Sequence, residues 1–460
     1  MRWPRPPLVL TALAAASLGC GPAAGTPSQS GRVAQPIAFV GVNVISMERE
    51  GLLKDQTVLV NGDRIVTVGP RDTISVPESA ARIEGLGRWL IPGLADLHVH
   101  LRLDPTQDNP TLLRLFVANG VTTVLSLHGS SDHLDLRKRV LSGELLGPAI
   151  FTAGPFISDT PRSSAPEADQ VERMVVDQKG AGYDFIKIHG DLPRDAYLRL
   201  FAVTRRERMR VVGHAPRNLG VDIMIEQRQD AVAHAEEYLY DTEGSSRGYA
   251  EVESRIPDLA RRTAAAGTSL ITTLTAYRNI GLQLEDIDAV LRRPEVSFVP
   301  SAIRHYWQPE NNPYIRRASS FSVDGLRARY RVLENLVKGF HDAGVPILAG
   351  TDALNPSVVP GFSLHDELQD LVLAGLTPYQ ALRAATAGAA EFLGGRNEFG
   401  TIASGRRADM ILLDSNPLSD IKATTRQAGV MLRGRWIPHE EVRGILNALA
   451  SPPARPAEAL

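Results

Sequence analysis

Past residue 36, apolar and polar positions group into short runs whose spacing changes along the chain. "IAFVGVNVISM" (37–47) and "QTVLVNGDRIVTVG" (56–69) are rich in β-branched residues, and Asn61-Gly62 in the second is a tight hairpin signal. With "RWLIPG" (88–93) they predict a small antiparallel β unit over 36–90. A similar pattern returns in "GTIASGRRADMILLD" (400–414) and "AGVMLRGRW" (428–436). Neither segment alone has enough strands to bury a face, so the two are expected to join into one β-sandwich. Between them, β-rich runs alternate with helix-like stretches. Strands are placed at 94–101, 121–127, 149–153, 185–190, 210–215, 231–236, 269–275 and 346–353. Eight strands separated by helices predict an α/β chain built on a (β/α)8 TIM-like barrel over 91–399. The span 280–345 is longer than one helix needs, and its segment "IRHYWQPENNPYIRR" (303–317) reads as a loop over the barrel mouth.

Composition narrows the function classes. Of 460 residues 43% are hydrophobic and 22% charged, the proportions of a folded globular protein. Lys plus Arg (50) nearly balances Asp plus Glu (52), so no basic field exists to hold a nucleic acid. The single cysteine, Cys20, excludes disulfides, thiolate catalysis and sulfur ligands in the body of the chain. Arg2 and Arg5 precede the apolar run 8–18, which is too short to span a bilayer and suits the core of an export signal. Ser17-Leu18-Gly19-Cys20 and the Gly, Pro, Ser and Thr-rich stretch after it resemble a bacterial lipoprotein signal. Ser17 departs from that pattern, so lipidation at Cys20 stands beside simple cleavage and release. The expected organisation is a signal at 1–20, a tether at 21–35, the first β segment at 36–90, the barrel at 91–399, the second β segment at 400–445 and a tail at 446–460. The destination is the cell envelope or periplasm, with membrane contact only through the N-terminal lipid. Nothing in the pattern specifies an oligomer.

The working residues of such a barrel lie at the C-terminal ends of its strands. His98, His100, His128, His189, His214 and His234 all fall at or just after proposed strand ends. His98 and His100 are two apart on one strand, so both imidazoles project to the same face and can grip one ion.

Five motifs then occur in order: "WLIPGLADLHVHL" (89–101), "FIKIHGD" (185–191), "VVGHA" (211–215), "AVAHAEEY" (231–238) and "ILAGTDA" (347–353), followed by "TPYQALRAATAGAAEFLG" (377–394). With these the chain, over 36–440, resembles the metal-dependent amidohydrolases, in the branch of imidazolonepropionase and the prolidase-like peptidases. The resemblance implies two divalent ions, zinc first among the candidates. His98 and His100 would hold one, His214 and His234 the other, and Lys187, carboxylated by carbon dioxide, would bridge them. Asp352 would ligate the first ion and act as the catalytic proton carrier. Tyr238 resembles a substrate-contacting tyrosine of prolidase-like members. His189 and His128 are candidate substrate contacts facing the mouth, and Arg304, with His305 and Tyr306, would form a cationic or aromatic wall. His365 is expected to brace a helix and His439 to lie on the surface. The implied activity is hydrolysis of a C–N bond in a small peptide or N-acyl amino acid, in the manner of a prolidase-like dipeptidase. The alternatives are an imidazolonepropionase-like cyclic amide hydrolase and a non-catalytic solute-binding lipoprotein.

Overall fold

The computed structural model describes residues 35–102, 108–158, 165–240, 248–320 and 322–450. Cys20 and the expected signal and tether lie outside the described residues. The fold is mixed α/β.

The two flanking segments share one eight-stranded sheet. β1 (Ile37–Val44), β2 (Leu53–Asn61), β3 (Arg64–Pro70), β4 (Ala81–Glu84) and β5 (Trp89–Pro92) come from the first segment. β6 to β13 are described below, and β14 (Met410–Leu413), β15 (Gln427–Leu432) and β16 (Arg435–Pro438) come from the second. The order is β16-β15-β14-β5-β1-β2-β3, with β4 paired to β1. The antiparallel register Ile411↔Ile91 joins the segments. The β2–β3 loop is Gly62-Asp63, with Gly62 at φ +59, the conformation a two-residue hairpin needs at its first position. Phe39 on β1 meets Trp436 on β16 edge to face at 5.2 Å. Three strands separate them in the hydrogen-bonded order, and in a flat sheet that is ~19 Å. The sheet therefore curls over a core that includes Phe39, Val58, Leu90, Met410 and Met431.

The central region holds a three-stranded parallel sheet, β6 (Leu94–Val99), β7 (Val121–Ser126) and β8 (Ala149–Thr152). A five-stranded parallel sheet follows, β9 (Phe185–Ile188), β10 (Arg210–Gly213), β11 (Ala231–Ala233), β12 (Ser269–Ile271) and β13 (Ile347–Leu348). Their residues are almost continuously buried, as parallel strands covered by crossover helices must be. Isolated parallel bridges link the two sheets at Ala153–Phe185 and at Val99–Ala353.

A strand occurs at each of the eight expected places, but each stops short of its expected C-terminal end. The expected strand 269–275 ends at Ile271, and a helix (Leu274–Leu291) starts there instead. The cause is backbone geometry, because His234 (φ +88), Thr273 (φ +51) and Asp352 (φ +60) adopt left-handed conformations that leave the ladder. Residues 303–317 are a loop only in part, at 308–314. Ser301–Trp307 is a helix and Ile315–Ser320 a 3-10 turn, between the helices Leu274–Leu291 and Val323–Asp342. Ile303 and Trp307, four apart, are both buried in a cluster with Leu112, Leu115 and Val359, and that helical stripe was hidden among polar neighbours.

Two constraints position the strand ends. Asp96, fully buried, accepts from the amides of His98 (3.2 Å) and Thr351 (3.0 Å) and from the Thr351 hydroxyl (2.6 Å), tying β6 to the segment after β13. Gly213, at φ +141, passes so close to β9 that a Cβ there would stand 2.1 Å from the Ile188 carbonyl oxygen. Gly213→Ala should cost about 2 kcal/mol or more through this clash and its φ. A clear drop in apparent unfolding temperature is the expected result in thermal melts of the variant against the wild type.

Candidate metal centre

His98 and His100 leave the end of β6, Lys187 lies in β9, His214 and His234 follow β10 and β11, and Asp352 follows β13. All six line one cavity of about 380 Å³. His98 Nε2 is 3.3 Å from His100 Nε2 and 3.2 Å from Asp352 Oδ1, and His100 Nε2 is 2.8 Å from the same oxygen. Two ligands of one tetrahedral zinc stand ~3.3 Å apart, given bonds of ~2.0–2.1 Å, so this spacing suits a shared ion. Ligand atoms of His98, His234 and Asp352 all lie within 4.8 Å of one another. The His234 ring is 5.0 Å from that of His214.

The electrostatics fit cation binding. Burial, with the charge of Lys187 behind it, holds His98 and His214 well below the usual imidazole range, and burial holds His234 at about 3. These rings are neutral at pH 7 and keep a lone pair for a ligand. Burial raises Asp352, but the His100 hydrogen bond and the nearby positive charge outweigh it, so the carboxyl titrates below its ordinary value. Burial lowers Lys187 to about 8, and its Nζ has no hydrogen-bond partner among the described residues.

Supporting groups fix the ring orientations. His214 Nδ1 lies 2.8 Å from Glu237 Oε1, and Glu237 Oε2 accepts from the Ala215 amide at 3.0 Å. His234 Nδ1 is 2.8 Å from the Thr273 hydroxyl. In both rings Nε2 is left for a ligand. Asn355 Nδ2 donates to Asp352 Oδ2.

His128 and His189 also line the cavity, in a column: His128 stacks on Phe156 at 3.7 Å, Phe156 on His189 at 4.6 Å, and His189 leans on His214 at 4.6 Å. Tyr238 is elsewhere. It is fully buried, its ring edge-on to Phe340 at 4.6 Å and its hydroxyl 3.2 Å from Thr263 Oγ1. Arg304 and His305 line a different cavity of about 740 Å³, with Val296 and Phe298. His365 is buried between Thr424 and the Asn119 carbonyl, while His439 is exposed and holds the Gln427 carbonyl. Sequence reasoning missed Phe156, Glu236, Tyr277, Ile280, Tyr314 and Asn355, which complete the cavity wall, and Glu237 behind it. For the two glutamates a signal was present, namely adjacent acids inside the apolar "AVAHAEEY".

The model of the amidohydrolase family matches residues 89–437. The chain belongs to the amidohydrolase family. This amidohydrolase is a hydrolase of carbon–nitrogen bonds. It is similar to the imidazolonepropionase of Streptomyces coelicolor, 26% identical over 84% of this chain and 92% of that protein. A match to the imidazolonepropionase of Deinococcus deserti, 45% identical, covers only 18% of this chain and 21% of that protein. Among solved structures it resembles a bottromycin amidohydrolase (TM-score 0.71, 23% identity, 90% of this chain and 91% of that one). It also resembles an Xaa-Pro dipeptidase with bound methionine (TM-score 0.65, 19% identity, 88% of this chain and 100% of that one). Family members generally bind divalent metals, and the His98, His234 and Asp352 cluster is present here.

Removing the partner of a ligating histidine typically weakens metal affinity ten- to a hundredfold. Glu237→Gln should shift zinc affinity by roughly that amount, read in a competitive chelator titration, with the fold intact by circular dichroism. Unchanged affinity would show that His214 is not oriented for a metal.

Proposed function

We propose that the amidohydrolase is a dinuclear hydrolase of a small amide, a prolidase-like dipeptidase or a hydrolase of N-acyl amino acids. The observation that carries this reading is Lys187: a fully buried amine without a hydrogen-bond partner among the described residues, lining the cavity with His98, His100, His214, His234 and Asp352. A lysine destined only for charge has no reason to be stranded there. Addition of carbon dioxide to the neutral Nζ, with loss of a proton, forms a carbamate whose two oxygens can reach two cations. The links Ala153–Phe185 and Val99–Ala353 support a closed (β/α)8 barrel, and the Phe39–Trp436 contact supports a two-layered sandwich from the curled sheet.

His98, His100 and Asp352 would hold one ion and His214 and His234 the other, with Lys187 between them. Zinc suits this mixture of imidazole and oxygen donors. Divalent ions supply Lewis acidity toward a carbonyl oxygen and bring the pKa of a water near neutrality. Asp352, ionised and steadied by Asn355, is placed to accept a proton from the attacking water and return it to the leaving nitrogen. Glu237 and Thr273 keep the His214 and His234 rings from turning as charge shifts.

A single-ion, imidazolonepropionase-like hydrolysis of a cyclic amide is the second reading, favoured by the length of the match to the Streptomyces coelicolor relative. Lys187 favours the dinuclear reading over it. The segment 1–20 would deliver the enzyme to the cell envelope, with Cys20 as a lipid anchor.

Two measurements decide. Metal analysis of zinc- and bicarbonate-supplemented protein should give about two ions per chain, and Asp352→Asn should lower turnover of an Xaa-Pro or N-acyl amino acid library at least about a thousandfold. A well-folded wild type that takes up no metal would overturn the enzyme reading, and one ion per chain with turnover of cyclic amides only would favour the second. The pH dependence follows from Lys187, whose neutral fraction grows as pH rises through about 8. At fixed dissolved carbon dioxide, reactivation of metal-free protein should be roughly twentyfold faster at pH ~8.5 than at pH ~6.5. A flat profile in stopped-time activation assays would speak against the carbamate.

A further inference from the structure

With the six metal-centre side chains set aside, the rest of the cavity wall is unevenly made. One side is the stacked column His128, Phe156 and His189, and another is Tyr277, Ile280 and Tyr314. Glu236 is the carboxyl in this remaining wall. It lies on the 3-10 turn Ala235–Tyr238, directly after His234 and Ala235. Its neighbour Glu237 is used for His214, whereas Glu236 faces the cavity. Glu236 is 5% exposed. Its Oε1 accepts from the Tyr240 hydroxyl at 2.9 Å, and its Oε2 is buried without a hydrogen-bond partner among the described residues.

Two arginines flank this arrangement through aromatic rings. Arg217 stacks on the Tyr240 ring at 3.9 Å, and Arg329 lies over Tyr240 at 5.4 Å and Tyr277 at 6.0 Å. Burial raises the Glu236 carboxyl well above the usual carboxylate range; Glu237 adds to this and Arg329 opposes it. A buried carboxyl with one oxygen fixed and the other unpaired is costly unless a donor arrives.

Resting on the hydrolase reading, we propose that Glu236 receives the free α-ammonium of the substrate, so that the enzyme takes unblocked dipeptides with an apolar or aromatic side chain and discriminates against N-acylated amino acids. The ammonium brings the positive charge and N–H donors that Oε2 lacks. The free edge of the Phe156 ring and the side chain of Tyr314 border the space for the adjoining side chain, and the scissile carbonyl is left toward His98, His234 and Asp352. Tyr240 acts as a positioning residue, holding the carboxyl through Oε1.

Equilibrium binding separates this recognition from catalysis. Two non-hydrolysable ketomethylene isosteres of Phe-Ala, one with a free α-amine and one N-acetylated, are titrated calorimetrically into metal-replete full-length protein. Wild type should bind the free amine about tenfold tighter or more, the scale of one charge-assisted hydrogen bond. Glu236→Gln should bring the two within about threefold while retaining its metal, and Tyr240→Phe should give an intermediate preference. Equal or tighter binding of the acetylated isostere by wild type overturns the proposal, as does a full preference retained by a metal-replete Glu236→Gln. Should that variant lose its metal, an undiminished preference in Tyr240→Phe overturns it instead. Turnover confined to N-acyl amino acids would preserve the hydrolase and remove this role of Glu236. A free-amine preference without turnover of any amide would keep the role and remove the hydrolase.

Discussion

The centre of this protein is governed by the removal of titratable side chains from water. Burial is the largest influence on His98, His214, His234 and Lys187, and in each it favours the neutral form. A surface cluster of the same residues would be a set of cations repelling a metal, whereas here it is a set of lone pairs. Asp352 is subject to the same burial yet stays ionised, because the His100 hydrogen bond favours its charged form and Lys187 adds positive potential. The outcome is one carboxylate among imidazoles that keep their lone pairs, an environment that favours a divalent cation more as Lys187 loses its proton.

Desolvation has a cost, because each buried polar atom without a partner is destabilising by about 1–3 kcal/mol. The fold meets most of that demand locally, with Glu237 on His214, Thr273 on His234, Asn355 on Asp352 and three donors on Asp96. The atoms left over are informative for that reason. Lys187 Nζ and Glu236 Oε2 are two such atoms among the described residues, and both residues line the same cavity. Left-handed backbone at His234, Thr273 and Asp352 is strain of the kind that persists at working sites, where the surrounding structure over-determines it.

What could be read from the sequence follows how local each signal was. The β-rich runs and the six ligand candidates were legible, because strand pattern and strand-end position are features of a few adjacent residues. His98 and His100 at i and i+2 do face one point, and Asp352 meets them. Strand ends were read too long, since the departure of His234 and Asp352 from the ladder depends on φ values that no periodicity reports. Tyr238 looked like a substrate contact by its distance from His234, but a 3-10 turn intervenes and swings it into the core against Phe340. Arg304 was placed at the mouth on the assumption of a loop, and the helix anchored by Ile303 and Trp307 carries it to another cavity. The wall formed by Phe156, Tyr277 and Tyr314 was not legible, because it is assembled from elements far apart in the chain.

The curled sheet bears on the chemistry although it contributes nothing to the cavity lining. β5 and β6 are separated by Gly93 alone, so the strand carrying His98 and His100 is a direct extension of the sheet. Gly93 donates its amide to the Asp409 carbonyl at 2.9 Å, and a Cβ there would stand 2.3 Å from Thr122 Oγ1. The start of β6 is thereby clamped between the second flanking segment and β7, while Asp96 and Thr351 clamp its far half against the segment bearing Asp352. Metal ligands must hold their positions within a few tenths of an ångström to keep a coordination geometry. A short strand fixed at both ends achieves this, and it explains in physical terms why the two flanking segments are joined in one sheet although, among the described residues, neither lines the cavity.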